Sequence, residues 1–158
     1  MSKIVILDLD NTISDDSHRI PLIDWSREGR ERYDAYHRAC LMDKCDNRHL
    51  FTNQPHTIVI FTGRPEYLRN ETKLWLARNQ VPFTALFMRK DDEHGISAPV
   101  LKLQMLDQLL TWCGGTDSIA AAYDDHEGVI RAYQLAGLHA ERWFIHDDAT
   151  PYKMEGRK

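Results

Sequence analysis

Two short apolar runs in this chain each end in a pair of carboxylates. Asp8 and Asp10 follow Ile4-Val5-Ile6-Leu7, and Asp124 and Asp125 follow Ile119-Ala120-Ala121-Ala122-Tyr123. Where a strand runs into a loop, alternate side chains can point the same way, so Asp8 and Asp10 are expected to face one site. Carboxylates gathered at such a place repel unless a cation or a proton lies between them. A hard divalent ion bound through oxygen is the natural partner. A carboxylate beside that ion can attack phosphorus and form an aspartyl phosphate. The second carboxylate can give a proton to the leaving alkoxide and later take one from water. Asp124 or Asp125 would complete the oxygen shell begun by Asp8.

Phe61-Thr62-Gly63-Arg64-Pro65 adds a hydroxyl and a glycine at the end of another apolar run, Thr57-Ile58-Val59-Ile60-Phe61. A helix opening there would offer free backbone N–H groups to a phosphate. Lys102, near the start of a later helical pattern, could neutralise the carboxylates and a transferring phosphoryl group. Arg19, Arg64 and Arg89 are expected beside loops at the strand ends, where a guanidinium fork suits phosphate. His18 and His126 read as polar loop residues, or as ligands or proton carriers. Trp25, Tyr33 and Tyr36 read as the aromatic core of a small lid or as stacking partners for a base. Taken singly, each of these pieces is common in proteins.

The elements that must position them alternate. Apolar runs at 4–7, 57–61, 85–88, 119–123 and 142–145 are uninterrupted, as strands covered on both faces are. Helical spacing appears over 65–79, with Leu68, Thr72, Trp75 and Leu76 on one side. It appears again over 100–110, with Val100, Leu103, Leu106 and Leu110 as the apolar stripe. A third stretch covers 127–136, with Val129, Ile130 and Tyr133 together and Gly137 as the stop. The pattern predicts an α/β fold, a three-layer doubly wound parallel sheet. Residues 13–53 break the rhythm. A helix over about 29–41 brings Tyr33, Tyr36, His37, Cys40 and Leu41 to one face, within a small helical insertion after strand 1. An insertion there sits over the carboxyl ends of the strands, where open α/β sheets bind ligands. It reads as a cap or as a helix packed on the sheet.

At 158 residues the chain fits one domain, 1–158. No apolar run reaches the length of a membrane span, and the N-terminus enters a strand directly, so the expected location is cytoplasmic. A formal net charge of −4 announces no polyanion-binding surface. Cys40, Cys45 and Cys113 are widely spread and form no CxxC pair, which suggests neither a zinc site nor a disulfide framework. The polar stretch 150–158 reads as candidate disorder. Oligomeric state is not written in these patterns.

The order strand-Asp8-Leu9-Asp10-Asn11-Thr12, strand-Thr62-Gly63-Arg64, helix-Lys102, strand-Asp124-Asp125 resembles the four ordered motifs of the haloacid dehalogenase-like (HAD) superfamily, over nearly the whole chain. The resemblance implies a HAD-like Rossmannoid sheet and a magnesium-dependent phosphatase, a hydrolase of phosphoric monoesters. It makes Asp8 the nucleophile, Asp10 the general acid/base, and Thr62 and Lys102 the residues that hold and stabilise the phosphoryl group. Mg2+ would be bound by Asp8, the Asp10 backbone carbonyl and Asp124, with Asp125 as a metal or water ligand. Asn11, Gly63, Arg64, Arg89 and Arg19 become candidate substrate-binding residues. Position 11 is Asn where these phosphatases usually carry Gly, and Asn tolerates the left-handed backbone that a glycine would supply. A closer resemblance is to the 3′-phosphatase domain of phage-type polynucleotide kinase-phosphatases. It is carried by Phe61 to Arg64, Trp75 with Val81-Pro82-Phe83, Leu86 to Asp92, Val100-Leu101-Lys102, Tyr123-Asp124-Asp125 and Val129 to Tyr133. That likeness implies a nucleotide or nucleic-acid 3′-phosphate as substrate. No GxxxxGK[ST] occurs, so no kinase activity is expected of this chain. The alternatives are a 5′-nucleotidase or sugar phosphatase of the same superfamily, and a non-catalytic phosphate-binding module.

Overall fold

The computed structural model describes residues 2–147. The polar stretch 150–158 lies outside them. The chain runs through β1 (Ile4–Leu7), β2 (Ser14–Asp15), α1 (Gly29–Arg38), β3 (Lys44–Cys45), β4 (Thr57–Pro65), α2 (Arg69–Arg78), β5 (Ala85–Arg89), α3 (Ala98–Cys113), β6 (Ile119–Asp124), α4 (Glu127–Leu135) and β7 (Ala140–Arg142). Five strands form one parallel sheet in the order β5-β4-β1-β6-β7. The strand carrying Asp8 therefore lies beside the strand carrying Asp124, with Leu7 opposite Tyr123.

Alternation along the central strands divides the core in two. Val5, Leu7, Ile58 and Ile60 pack with Leu68, Trp75 and Leu76 of the α2 region and with Leu50 and Phe51. Ile6, Val59 and Phe61 face the other way, against Leu101, Met105, Leu106 and Leu109 of α3 and Val129, Ile130 and Tyr133 of α4. The three-layer parallel α/β expectation holds. So does the chain stop after α4, where Gly137 adopts φ +94.

Three local expectations are corrected. β4 continues through Thr62-Gly63-Arg64 to Pro65, with an irregular register after Phe61, and the helical stretch begins at Glu66 as a 3-10 turn that leads into α2 at Arg69. Thr62 therefore does not stand at a helix N-terminus. In α3 the buried side chains are Leu101, Lys102, Met105, Leu106 and Leu109, whereas Val100 and Leu103 are exposed. This helix is apolar around much of its circumference, so periodicity selects its inner face poorly. The last strand is Ala140–Arg142, earlier than the 142–145 run. Residues 143–146 leave the sheet and cross the end of it.

Between β1 and β4, β2 and β3 pair antiparallel, and α1 packs against the helical turns at 17–22 and 39–42. Trp75 of α2 donates its indole N–H to Asp43 O at 2.8 Å, which ties this inserted segment to the sheet layer. All three cysteines are free thiols. Among the described residues no helix is long and apolar enough to cross a membrane.

Candidate active site

The pairing of β1 with β6 brings the two acidic strand ends together. The Asp8 amide donates to Tyr123 O at 3.0 Å, and carboxylate oxygens of Asp8, Asp124 and Asp125 all lie within 4.8 Å of one another. All three residues are buried. Lys102 reaches in from α3, its Nζ 2.9 Å from Asp8 Oδ1 and 2.5 Å from Asp124 Oδ2. Thr12 Oγ1 donates to the other Asp8 oxygen at 2.8 Å, and the His126 amide donates to Asp124 Oδ1 at 2.9 Å. Sequence reasoning did not single out Thr12. Its place four residues after the acidic residue that ends the strand was the available signal.

Burial and the neighbouring Asp124 push the Asp8 carboxyl well above the usual carboxylate range, against the pull of Lys102. Burial raises Asp124 as well, with Asp125 adding to it and Lys102 opposing. Burial works to lower the pKa of Lys102, but Asp124 and Asp8 outweigh it and raise it. One ammonium thus faces three carboxylates. The donor set is all oxygen, anionic and short of positive charge, which fits a hard divalent ion such as Mg2+.

Asp10 is held differently. Its Oδ1 accepts from Arg19 NH2 at 2.6 Å, Arg64 Nε at 3.0 Å and Arg64 NH2 at 2.8 Å. Burial works against its ionisation, yet Arg19 and Arg64 prevail and hold the carboxyl well below the usual carboxylate range. Arg19 and Arg64 are both 0% exposed. The expectation that they lie at open loops, ready for substrate, is corrected: their guanidinium groups belong to a buried network. Asp43 completes it, accepting from Arg19 Nε at 2.9 Å, Arg19 NH2 at 2.6 Å and Ser14 Oγ at 2.5 Å. Asp43 was missed, because a single acid in a polar insertion carries no pattern that announces a distant partner.

A cavity of about 290 Å³ opens beside the carboxylates, and Asp8, Asp10, Lys102 and Asp124 contribute to its lining. Tyr33, Tyr36 and His37 of α1 wall one side, Gly63, Pro65 and Tyr67 another. Burial and the nearby Arg19 and Arg64 lower His37 to about 3, against the attraction of Asp10, so its ring is neutral at pH 7. Arg89 also lines this cavity, but its guanidinium donates to the carbonyls of Gly63, Glu93 and Ile96 at 3.2, 2.6 and 2.7 Å. Thr62 is buried and its Oγ1 accepts the Arg64 amide at 3.2 Å. Among the described residues no hydrogen bond joins it to the carboxylate cluster. Asn11 takes the left-handed backbone expected of it, φ +62, but its side chain is fully buried and donates to Asp125 Oδ2 at 3.0 Å. That direction differs from the substrate-binding role expected for it. Trp25 is partly exposed and meets Tyr33 edge-on, with ring centroids 6.4 Å apart. His126 caps α4, its Nδ1 accepting the Val129 amide at 3.3 Å.

A parallel α/β sheet whose adjacent strands end in an acidic cluster, completed by a buried lysine from the helix that leads into β6, defines a haloacid dehalogenase-like phosphatase. A family model of the polynucleotide kinase PNKP phosphatase domain matches residues 2–142, and the chain belongs to that family. Among solved structures, a chain of the Pnkp1/Rnl/Hen1 complex aligns with a TM-score of 0.65 at 19% identity, covering 92% of this chain and 47% of its own. The present chain thus spans about half the length of that relative. The HAD-hydrolase YfnB from Bacillus subtilis, bound to magnesium, aligns with a TM-score of 0.60 at 13% identity, covering 88% and 87% of the two chains. A haloacid dehalogenase-like hydrolase from Streptococcus pneumoniae aligns with a TM-score of 0.62 at 9% identity, covering 99% and 91%. At these identities the structural likeness speaks for the fold, and the family model carries the membership. A search of the curated proteins finds no match.

Proposed function

We propose that this phosphatase hydrolyses a nucleotide or nucleic-acid 3′-phosphate through a phosphoryl-Asp8 intermediate, with Mg2+ as cofactor. The observation that carries the reading is the convergence of Asp8, Asp124 and Asp125 with Lys102, beside a cavity that Asp8, Lys102 and Asp124 help to line. Asp8, Asp124, Asp125 and the Asp10 backbone carbonyl would hold the ion. When bound, it supplies positive charge to the phosphoryl oxygens and to the attacking carboxylate.

In the first step an Asp8 oxygen attacks phosphorus, the bond from phosphorus to the leaving oxygen breaks, and that oxygen takes the proton carried by Asp10. In the second step water attacks phosphorus, its proton passes to Asp10, and the bond to Asp8 breaks to release phosphate. Lys102 stays protonated throughout and offsets the charge of Asp8 and of the phosphoryl group. The arginine bonds all fall on Asp10 Oδ1, which leaves Oδ2 for proton exchange. By stabilising the ionised form, Arg19 and Arg64 favour the base half of the cycle over the acid half. Thr62 is assigned to the phosphoryl group by family likeness, and Gly63 and Arg89 to the cavity wall beside it.

The family and the aromatic wall of Tyr33 and Tyr67 favour a nucleoside as leaving group. The cavity, about 290 Å³, lies near the lower bound of small-ligand pockets, which suits one nucleotide better than a duplex end. The test is phosphate release by the purified chain with Mg2+. The panel is a nucleoside 3′-phosphate, a nucleoside 5′-phosphate, a sugar phosphate and a 3′-phosphorylated oligonucleotide. The 3′-phosphates should be preferred, with the mononucleotide at least matching the oligonucleotide. Preference for the 5′-nucleotide or the sugar phosphate would transfer the site to the alternative substrate class, and binding without release would make it a non-catalytic module.

A further inference from the structure

Residues 143–146 cross the carboxyl-terminal rim of the sheet and are bonded to both loops that carry the acidic residues. The Trp143 amide donates to Asp124 O at 3.0 Å and the Ile145 amide to Asn11 O at 2.9 Å. The His146 amide donates to Asn11 Oδ1 at 2.9 Å, and Asn11 Nδ2 donates back to His146 O at 2.9 Å. The same Nδ2 donates to Asp125 Oδ2 at 3.0 Å. Just upstream, Arg142 Nε donates to Asp125 O at 2.7 Å. One buried primary amide therefore joins the nucleophile loop, the crossing segment and the carboxylate of Asp125.

We propose that Asn11 is a positioning residue for the divalent-ion site, fixing Asp125 against the nucleophile loop through residues 142–146. This inference rests on the reading of the carboxylate cluster as a cation site. A ligand held in one orientation before binding loses less freedom when the ion arrives, and groups that hold metal ligands commonly alter metal affinity by about 10–100-fold. Glycine at position 11 would accept the φ +62 backbone at no steric cost. It would offer no amide to either Asp125 or the crossing segment. Asparagine meets the backbone requirement and also binds Asp125. The Asp125 carbonyl has its own support from Arg142, whose side chain is partly exposed, so its removal leaves the core intact.

The experiment is calorimetric titration of Mg2+ into the wild-type chain, Asn11→Gly and Arg142→Met, paired with kinetics over a range of Mg2+. Asn11→Gly should weaken Mg2+ binding by about 10–100-fold, and Arg142→Met should weaken it in the same direction by less. KM for the phosphoester should stay near wild type, and saturating Mg2+ should restore turnover, a recovery that general loosening of the fold would not show. If Asn11→Gly does not fold, Arg142→Met decides by the same titration. Wild-type Mg2+ affinity in the folded variants would overturn the positioning role alone. Absence of Mg2+ binding by the wild-type chain would instead remove the cation-site reading and this inference with it.

Discussion

Asp10 and Asp8 lie two residues apart and are driven in opposite directions. Two guanidinium groups keep Asp10 ionised, whereas burial beside Asp124 works against the charge on Asp8. The first step needs the reverse pattern, Asp8 ionised and a proton on Asp10. A cation bound at Asp8 would have to draw it to the charged form, and the phosphoester arriving beside Asp10 would have to raise its proton affinity. The arginine network also carries stability. Arg64→Met removes two of the three arginine bonds to Asp10 but leaves Arg19 on it, so it is expected to cost about 1–3 kcal/mol in denaturant unfolding. Arg64→Lys should recover little of this, because an ammonium cannot reproduce the fork on Asp10. A loss near that of a surface pair, below about 1 kcal/mol, would contradict the network. His37 gives a pH signature. Its pKa in the fold, about 3, lies below the ordinary imidazole value of 6.5, so the unfolded chain takes up a proton that the folded chain refuses. The stability from keeping His37 neutral is complete above pH 6.5 and is lost as pH falls from there toward 3. Stability measured over that range should fall less steeply in His37→Gln than in the wild type. Parallel slopes would contradict the burial of this ring.

At the scale of elements, the sheet fixes where the acids meet, and α2 and α3 fix what surrounds them. Trp75 is buried in α2 and holds Asp43 O, joining the core to the acid that steadies Arg19. Trp75→Ala should lower stability by about 3–5 kcal/mol and reduce turnover further, as the Arg19–Asp43 pair loosens. Calorimetric Tm together with phosphate release checks both parts, and a Tm change without an effect on turnover would detach α2 from the site. Strand existence was legible from apolar runs, and α4 and its stop from periodicity and Gly137. The inner face of α3 was not, since Val100 and Leu103 are as apolar as Leu101 and Met105. The β4 extension through Thr62-Gly63-Arg64 was hidden because a Thr-Gly dipeptide reads as a turn, although here its backbone stays extended.

Over the whole molecule, motif order revealed more than any single motif. The sequence separation of Asp8 and Asp124 says nothing of their distance, but two strands of one parallel sheet, each ending in acids, must bring those acids to the same rim. The pairing of β1 with β6 makes the meeting local. What stayed hidden were partnerships between single polar residues of different segments: Arg19 with Asp43, Asn11 with Asp125. No periodicity marks such pairs, and a buried arginine in a polar insertion, as Arg19 is, looks like surface charge until the chain closes on itself. The account as a whole depends on Asp8 accepting phosphorus. The most direct measurement is rapid acid quench of the Mg2+-loaded chain during turnover of a nucleoside 3′-phosphate, then borohydride reduction and sequencing of the peptide containing position 8. An acyl phosphate at Asp8 would be reduced to homoserine at that position. Turnover with only unmodified aspartate at position 8, or with homoserine at Asp10 or Asp124 instead, would contradict it.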